Sequence, residues 1–346
     1  MPTFCRHNRF AENCPICSKT ELTRPGTVGG TASPASRRPA KPASSSAKRR
    51  TPRGGDLVVR RQARAADDGY EHELVPGLRA RADAVRLAEE LAFSVARLQE
   101  LSSDPPGLYA EAASTEDREE ALWLTFLIAY LSPQEGEEPW AAIAAARTPW
   151  GAEELPDLDT AAAGPRGSHE ARRGTSVVEA YRTRADRAGS QAALLAGEAS
   201  LTPQRRFDRA FERLQLGGLS RGARYEFLLT AGRLGLLDVE PWSLMFGLGE
   251  AGDKTTLAAK RVFGIGDPMN LRRRATDLAA AADVPVAALD LALVNWALPA
   301  GDRITAGATA TADPEVVRRL RATLGVSAEV AEVGGDDGGD GDDDSA

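Results

Sequence analysis

Apolar residues return every three or four positions through most of the chain from residue 76 onward. In GLRARADAVRLAEELAFSVARLQELS, Leu78, Val85, Leu91, Val95, Leu98 and Leu101 fall at this spacing, the pattern of a helix with one face on a core. TEDREEALWLTFLIAYLSP begins at Thr115, read as an N-cap followed by acids, and stops before Pro133. Its run from Leu122 to Leu131 is the longest apolar stretch. A spanning helix needs about 20 apolar residues, so this one predicts a buried core helix and no membrane crossing.

Residues 132 to 175 are rich in Pro, Gly and charge and predict loops and short helices anchored by Trp140 and Trp150. Helical patterns resume in SVVEAYRTRADRAGSQAALLAG, TPQRRFDRAFERLQ and SRGARYEFLLTAGRLGLL. They continue through DKTTLAAKRVFGIGDPMNLRRRATDLAAAADVPVAALDLALVNWALP and end with DPEVVRRLRATLGV. Strand signals are nearly absent, so the fold class is all-α.

Composition changes this picture at both ends. Residues 19 to 66 are rich in Pro, Ser, Ala, Arg and Lys and have few apolar side chains to offset ordering entropy. They predict a disordered basic linker, and 331 to 346 a disordered acidic tail. The domain reading is therefore a module at 1 to 18, the linker at 19 to 66, a helical domain at 67 to 330 and the tail.

The formal net charge of −7 hides a strong asymmetry: residues 18 to 66 carry +10, while 67 to 333 carry −12. A core this acidic does not coat nucleic acid non-specifically, so any nucleic-acid site is a local basic patch aided by the arm. No signal peptide pattern opens the chain, and the expected location is cytoplasmic, with nucleoid association if DNA is bound.

All three cysteines stand in FCRHNRFAENCPIC. Cys5, His7, Cys14 and Cys17 supply three thiolates and one imidazole, a complete tetrahedral zinc set and hence a closed, structural knuckle. Such a segment has no core of its own, and zinc would supply its folding energy.

Between two helical stretches lies KRVFGIGDP. Gly264 and Gly266 would let backbone approach a phosphate, with Asp267 and Pro268 at the N-cap and first position of the next helix. Lys254, Lys260, Arg261, Arg272, Arg273 and Arg274 cluster around this turn, which points to DNA phosphate. The alternative is an ordinary helix–helix turn with a solvated basic face.

Asp290 and Asn295 are the only polar side chains of VPVAALDLALVNWALP. A carboxylate in such a run is costly unless capped, paired or used. It is either the N-cap of a helix beginning near Leu291, or a general base or charge stabiliser at the mouth of a cleft.

The Gly-x-Gly turn, with Asp290 24 residues after Gly266, resembles the helix-hairpin-helix DNA glycosylases over roughly residues 110 to 300. That resemblance implies a glycosylase-like helical core with Asp290 as the catalytic aspartate. Asp267 stands where the lyase branch carries its lysine, which speaks against lyase chemistry. No cysteine cluster follows the hairpin, so the iron–sulfur cluster of some relatives is not expected.

FLIAYLSP, AAKRVFGIGD and ALDLALVNWA, with the opening CRHNRF…CPIC, are more closely similar to the predicted alpha-glutamyl/putrescinyl thymine pyrophosphorylases. That resemblance implies displacement of pyrophosphate by an amine at a pyrophosphorylated hydroxymethyl-pyrimidine in DNA. Asp290 would deprotonate the amine or stabilise charge, and the pocket would receive an extruded base.

Two rival readings remain: a non-catalytic DNA-binding adaptor, and a protein-interaction module using knuckle and tail, with partner base-modification enzymes among its candidates. Of the other residues, His72 and His169 fall in polar loops without ligand partners. Glu119 and Glu120 suit the first turn of their helix. Trp123, Phe126, Tyr130, Trp242 and Trp296 read as core.

Overall fold

The computed structural model describes residues 65–158, 160–170, 173–247, 252–299 and 301–326. The proposed zinc knuckle, the acidic tail and nearly all of the proposed linker lie outside the described residues. No strand occurs among the described residues, so the all-α expectation holds for them.

The helices in chain order are α1 (Arg81–Ser103), α2 (Leu108–Ser114), α3 (Arg118–Leu131), α4 (Ala141–Ala146), α5 (Gly174–Ala188) and α6 (Gln191–Ala196). They continue with α7 (Pro203–Arg213), α8 (Arg221–Arg233), α9 (Lys254–Phe263), α10 (Pro268–Ala282), α11 (Ala288–Ala297) and α12 (Pro314–Thr323). No described helix is long and apolar enough to cross a membrane.

Two helix groups meet along one seam. In the first, apolar α3 packs against α2, α4, α6 and α8, with α5 and α7 outside. Trp123, Phe126 and Tyr130 stack along one face of α3, as expected, and Phe126 meets Tyr181 with ring centroids 4.0 Å apart. In the second group, α1 carries α11 and α12, and α9 joins α11 to α10. Contact between α1 and α8 closes the seam. Fully apolar runs such as that of α3 form here because a helix surrounded on all sides needs no polar face.

Local chemistry fixes the helix starts. Ser190, Thr202, Ser220, Asp253, Asp267 and Asp313 each cap a helix through the side chain. The cap of α3 is Asp117 and not Thr115; Thr115 instead ends α2, its hydroxyl donating to Glu111 O at 2.7 Å. Glu119 and Glu120 do lie in the first turn of α3, and they also reach across the chain. Glu119 accepts from the backbone amides of Gln191 and Ala192 at 2.7 and 2.9 Å, which caps α6. Glu120 accepts from the Trp150 amide at 2.7 Å.

Trp296 is core, but Trp242 is 46% exposed and only its indole N–H is anchored, on Asp208. It sits at a turn beyond α8, where the apolar pattern has already broken. Asn295 is explained by structure alone: its side chain clamps the Ile304 amide and carbonyl, each at 3.0 Å.

Candidate functional site

The segment Gly164-Pro165-Arg166-Gly167-Ser168-His169 is laid on the C-terminal end of α3. Gly164 and Ser168 donate backbone N–H bonds to Leu131 O and Tyr130 O, both at 2.8 Å. A Cβ on Gly164 would stand 2.1 Å from Pro133 O, and one on Gly167 2.4 Å from Leu131 O. Close approach of backbone to backbone therefore requires glycine at both positions. Between them Arg166 is turned inward, its side chain only 7% exposed. Ser168 ties the segment to α8, donating to Gly218 O at 2.7 Å and accepting from Ser220 N at 2.7 Å.

Arg166 meets Asp290 through Nη2. The other carboxylate oxygen, Oδ1, accepts from Arg221 Nη2 at 2.7 Å and from Thr255 Oγ1 at 3.2 Å. Arg221 opens α8 and is fully buried; its Nη1 donates to Leu244 O at 2.9 Å. Its Nε lies 2.9 Å from Asp253 Oδ2, an ion pair in which the N–H is not aimed well enough for a hydrogen bond. The same Asp253 oxygen caps α9, accepting from the Thr256 amide and hydroxyl, each at 2.7 Å.

On the other side Arg166 Nη2 lies 3.9 Å from Glu226 Oε2, and Glu226 pairs with buried Arg97, which reaches Tyr109 Oη at 3.3 Å. Arg97, Glu226, Arg166, Asp290, Arg221 and Asp253 thus form one continuous buried chain of alternating charge.

Electrostatics follow from this order. Burial alone would raise the Asp290 carboxyl, but the Arg221 and Arg166 guanidiniums beside it prevail and hold it below the usual carboxylate range. Burial opposes the charge on Arg221, yet Asp290 and Asp253 raise its pKa above the ordinary arginine value. Tyr225, buried beneath Arg221 with its hydroxyl unpartnered, is pushed well above its usual value by burial first and by Asp290 second.

Above the network lies a cleft in two parts. A narrow cavity of about 210 Å³ is lined by Arg166, Gly222, Asp253, Lys254, Thr255 and Val294, among others. A wider one of about 580 Å³ is lined by Ser168, His169, Glu170, Gly218 and Arg221, among others. Both include Gly167, Ser220, Gly252 and Asp253, so they are continuous.

Asp290 lines neither part; its partners Arg166, Arg221 and Thr255 do. The expected place at a cleft mouth is corrected to one beneath its wall. The N-cap alternative is also corrected: α11 begins at Ala288, because Ala288, Leu289 and Asp290 already donate to Pro285 O, Val286 O and Ala287 O. Asp290 lies in the first turn with its carboxylate directed to the arginines.

The turn at 264–267 carries the expected aspartate cap and first-position proline. Gly264 ends α9 with φ +63°, a left-handed conformation that favours glycine. Gly77 packs against the same turn, its N–H bonding Val262 O at 2.9 Å. Asp267 caps α10, accepting from Asn270 N at 2.9 Å, and Pro268 follows at the first position. A Cβ on Gly266 would meet nothing within 4 Å, so the backbone there is open.

The basic patch is less concentrated than the sequence suggests. Arg272 donates to Phe246 O at 2.7 and 3.1 Å, and Arg274 to Glu73 O at 3.0 Å. Arg261 lies over the Trp296 ring at 4.9 Å, and Lys254 donates to Pro165 O at 2.8 Å. By exposure Lys254 and Arg273 are the outward cations of the six, Lys254 with one N–H on Pro165 O, and Lys260 is half-buried.

Sequence reasoning missed Arg166, Arg221, Asp253 and the cleft position of His169. His169 Nδ1 lies 3.3 Å from Tyr130 Oη, and its Nε2 is buried without a partner. The bracketed arginine of GPRG was a usable signal; nothing in SRGAR marks Arg221 as buried. Among the described residues no group of His, Cys, Asp or Glu is placed to hold a metal. The four proposed zinc ligands lie outside them. Comparison with protein-family models, curated proteins and solved structures gives no match.

Proposed function

We propose that this chain handles a base in DNA: the α9–α10 hairpin takes a backbone phosphate, and the cleft receives an extruded base. The observation that carries the reading is the buried, ionised Asp290 held by Arg166 and Arg221 directly beneath the cleft wall. Taking charges out of water costs several kcal/mol per ion, and well-packed apolar residues often serve stability as well or better. A charge network of this length, set under a cleft, is better accounted for by work on a ligand.

The reaction proposed is exchange at the exocyclic carbon of a pyrophosphorylated hydroxymethyl-pyrimidine. A C–N bond forms from an amine lone pair, the C–O bond breaks, and pyrophosphate leaves with that electron pair. Of the two roles open to Asp290, charge stabilisation fits better than general base, since both oxygens are already occupied. The proton lost by the amine would pass to Asp253, whose Oδ2 is engaged but whose Oδ1 carries no hydrogen bond among the described residues.

The proposed zinc knuckle on its basic tether would add a second contact, to DNA or to a partner enzyme. The rival reading, a DNA-binding adaptor without chemistry, is favoured by the absence of Asp290 from the cavity lining. Pyrophosphate release from pyrophosphorylated hydroxymethyluracil DNA with added amines separates the two. Turnover by wild type, lost in a folded Asp290→Asn chain, supports the enzyme; DNA binding without turnover in either supports the adaptor.

A further inference from the structure

The Arg166 guanidinium is underused. Among the described residues it spends Nη2 on Asp290, while Nε is buried with no partner and Nη1 makes no hydrogen bond. Leaving guanidinium donors unmet in a buried side chain costs more than a neutral hydrogen bond returns. The side chain nevertheless forms part of the wall of the narrow cavity. A group that brings oxygen acceptors into that cavity would meet those donors.

The surrounding charge selects the kind of acceptor. The six-residue network is internally neutral, three arginines against three carboxylates. Among the described residues, what remains at the narrow cavity is Lys254 and the positive ends of α8 and α9, helices of 13 and 10 residues that both begin at its lining. Ser220 and Asp253 satisfy the third amide of each helix, so the amides before it, in residues at the cavity lining, are left for an incoming acceptor. Asp253 opposes an anion, its Oδ2 committed to Thr256 and Arg221 but its Oδ1 facing Gly222, so the favourable position lies away from that oxygen, toward Arg166 and Lys254.

We infer that the narrow end of the cleft is a subsite for a phosphate-class oxyanion, gripped by Arg166 and Lys254 between the starts of α8 and α9. The inference rests on the base-handling reading only for what carries the anion; binding of the free ion does not depend on it. The subsite is distinct from the α10 arginines, two of which are spent on backbone carbonyls.

Gly222 provides a test that spares the fold. It lines the cavity at the second position of α8, and a Cβ there would find its nearest neighbours, Asp253 Oδ1 and Ser220 Oγ, at 3.9 Å. Gly222→Val therefore places its Cβ in the cavity without a clash and carries two further methyl groups into the space. Titration calorimetry of the full chain at constant ionic strength would use inorganic phosphate and pyrophosphate as probes. Wild type is expected to bind at least one of them, Lys254→Gln about tenfold more weakly, and Gly222→Val not measurably. Arg318→Ala, on the exposed face of α12, should bind as wild type. Arg166→Lys, which keeps the charge for Asp290 but loses the fork, should weaken binding as well. No binding by wild type at millimolar ion overturns the inference. So does binding that Gly222→Val and Lys254→Gln leave unchanged. Phosphate binding without any DNA binding would keep the subsite and sink the base-handling reading instead.

Discussion

Arg221 Nη2 and Asp290 Oδ1 stand 2.7 Å apart although 69 residues separate them in the chain, and both side chains are almost fully withdrawn from solvent. The pair joins the first residue of α8 to the first turn of α11, and Arg166 completes it from a glycine-bracketed loop. Fold and candidate site are therefore coupled through one carboxylate.

That coupling predicts a stability cost. Asp290→Ala removes the only carboxylate between two buried guanidiniums, and breaking one side of such a pair costs about 3–5 kcal/mol. Chemical denaturation should show this loss, while Asp208→Ala at the exposed Trp242 contact should change stability by less than about 1 kcal/mol. Equal effects would mean that the network is not under the strain of burial.

The sign of the pH dependence follows from the lowered Asp290 carboxyl. The folded state holds this group ionised below the point, about 3.9, at which the unfolded chain takes up its proton. Its contribution is complete above that range and is lost as pH falls through the lower folded value. The stability advantage of wild type over Asp290→Asn should be constant from about pH 7 to 5 and shrink below about pH 4. At the alkaline end burial pushes Tyr109 up to about 12, above its ordinary value despite the lowering effect of Arg97. The folded state keeps a proton that the unfolded state loses from about pH 10, so stability falls with rising pH, less steeply in Tyr109→Phe. Thermal melts across both ranges check each sign.

The glycines divide into two kinds with opposite expectations. Gly164→Ala and Gly167→Ala would drive a methyl into the carbonyls of Pro133 and Leu131 and should displace Arg166, lowering the melting temperature by several degrees. Gly266→Ala meets open space and should leave melting nearly unchanged, yet lower DNA affinity if backbone there approaches phosphate. A DNA titration beside each melt distinguishes them.

The arginines of α10 divide similarly. Arg273→Ala should leave stability unchanged, weaken DNA binding and reduce the salt slope by about 1. Arg272→Ala should instead destabilise, because its guanidinium serves the Phe246 carbonyl. A melt and a salt series on both variants decide this, and a stability loss in Arg273→Ala would contradict the assignment.

Much of the fold was legible because local rules set it. The apolar period marked α1 and α3, and Asp267-Pro268 and Asp313-Pro314 announced the starts of α10 and α12. The cap of α3 was misjudged because Thr115 and Asp117 are both good caps, and only the path of the chain after α2 chooses between them. Trp242 looked like core because residue type carries no information on which side of a turn it falls.

The site was half legible. Asp290 stood out because a lone carboxylate in an apolar run must be paired or used. Its partners were less legible: the glycines around Arg166 mark a close approach but not what it meets, and Arg221 stands at an ordinary helix start, both far away in sequence. Their convergence depends on close contacts at Gly164 and Gly167, which no spacing rule reports. The basic cluster around the hairpin misled in the opposite way, since sequence proximity cannot show that a guanidinium is spent on a carbonyl.

The most direct test of base handling is extrusion itself. A duplex carrying 5-hydroxymethyluracil beside 2-aminopurine would be titrated with full-length wild type and with Gly222→Val, following fluorescence of the neighbouring base. A fluorescence rise with wild type that is lost in Gly222→Val, with affinity retained within about twofold, is the predicted result, because extrusion unstacks the neighbour and needs an open cleft. Saturating binding by wild type with no rise, or the same rise in both proteins, would contradict it.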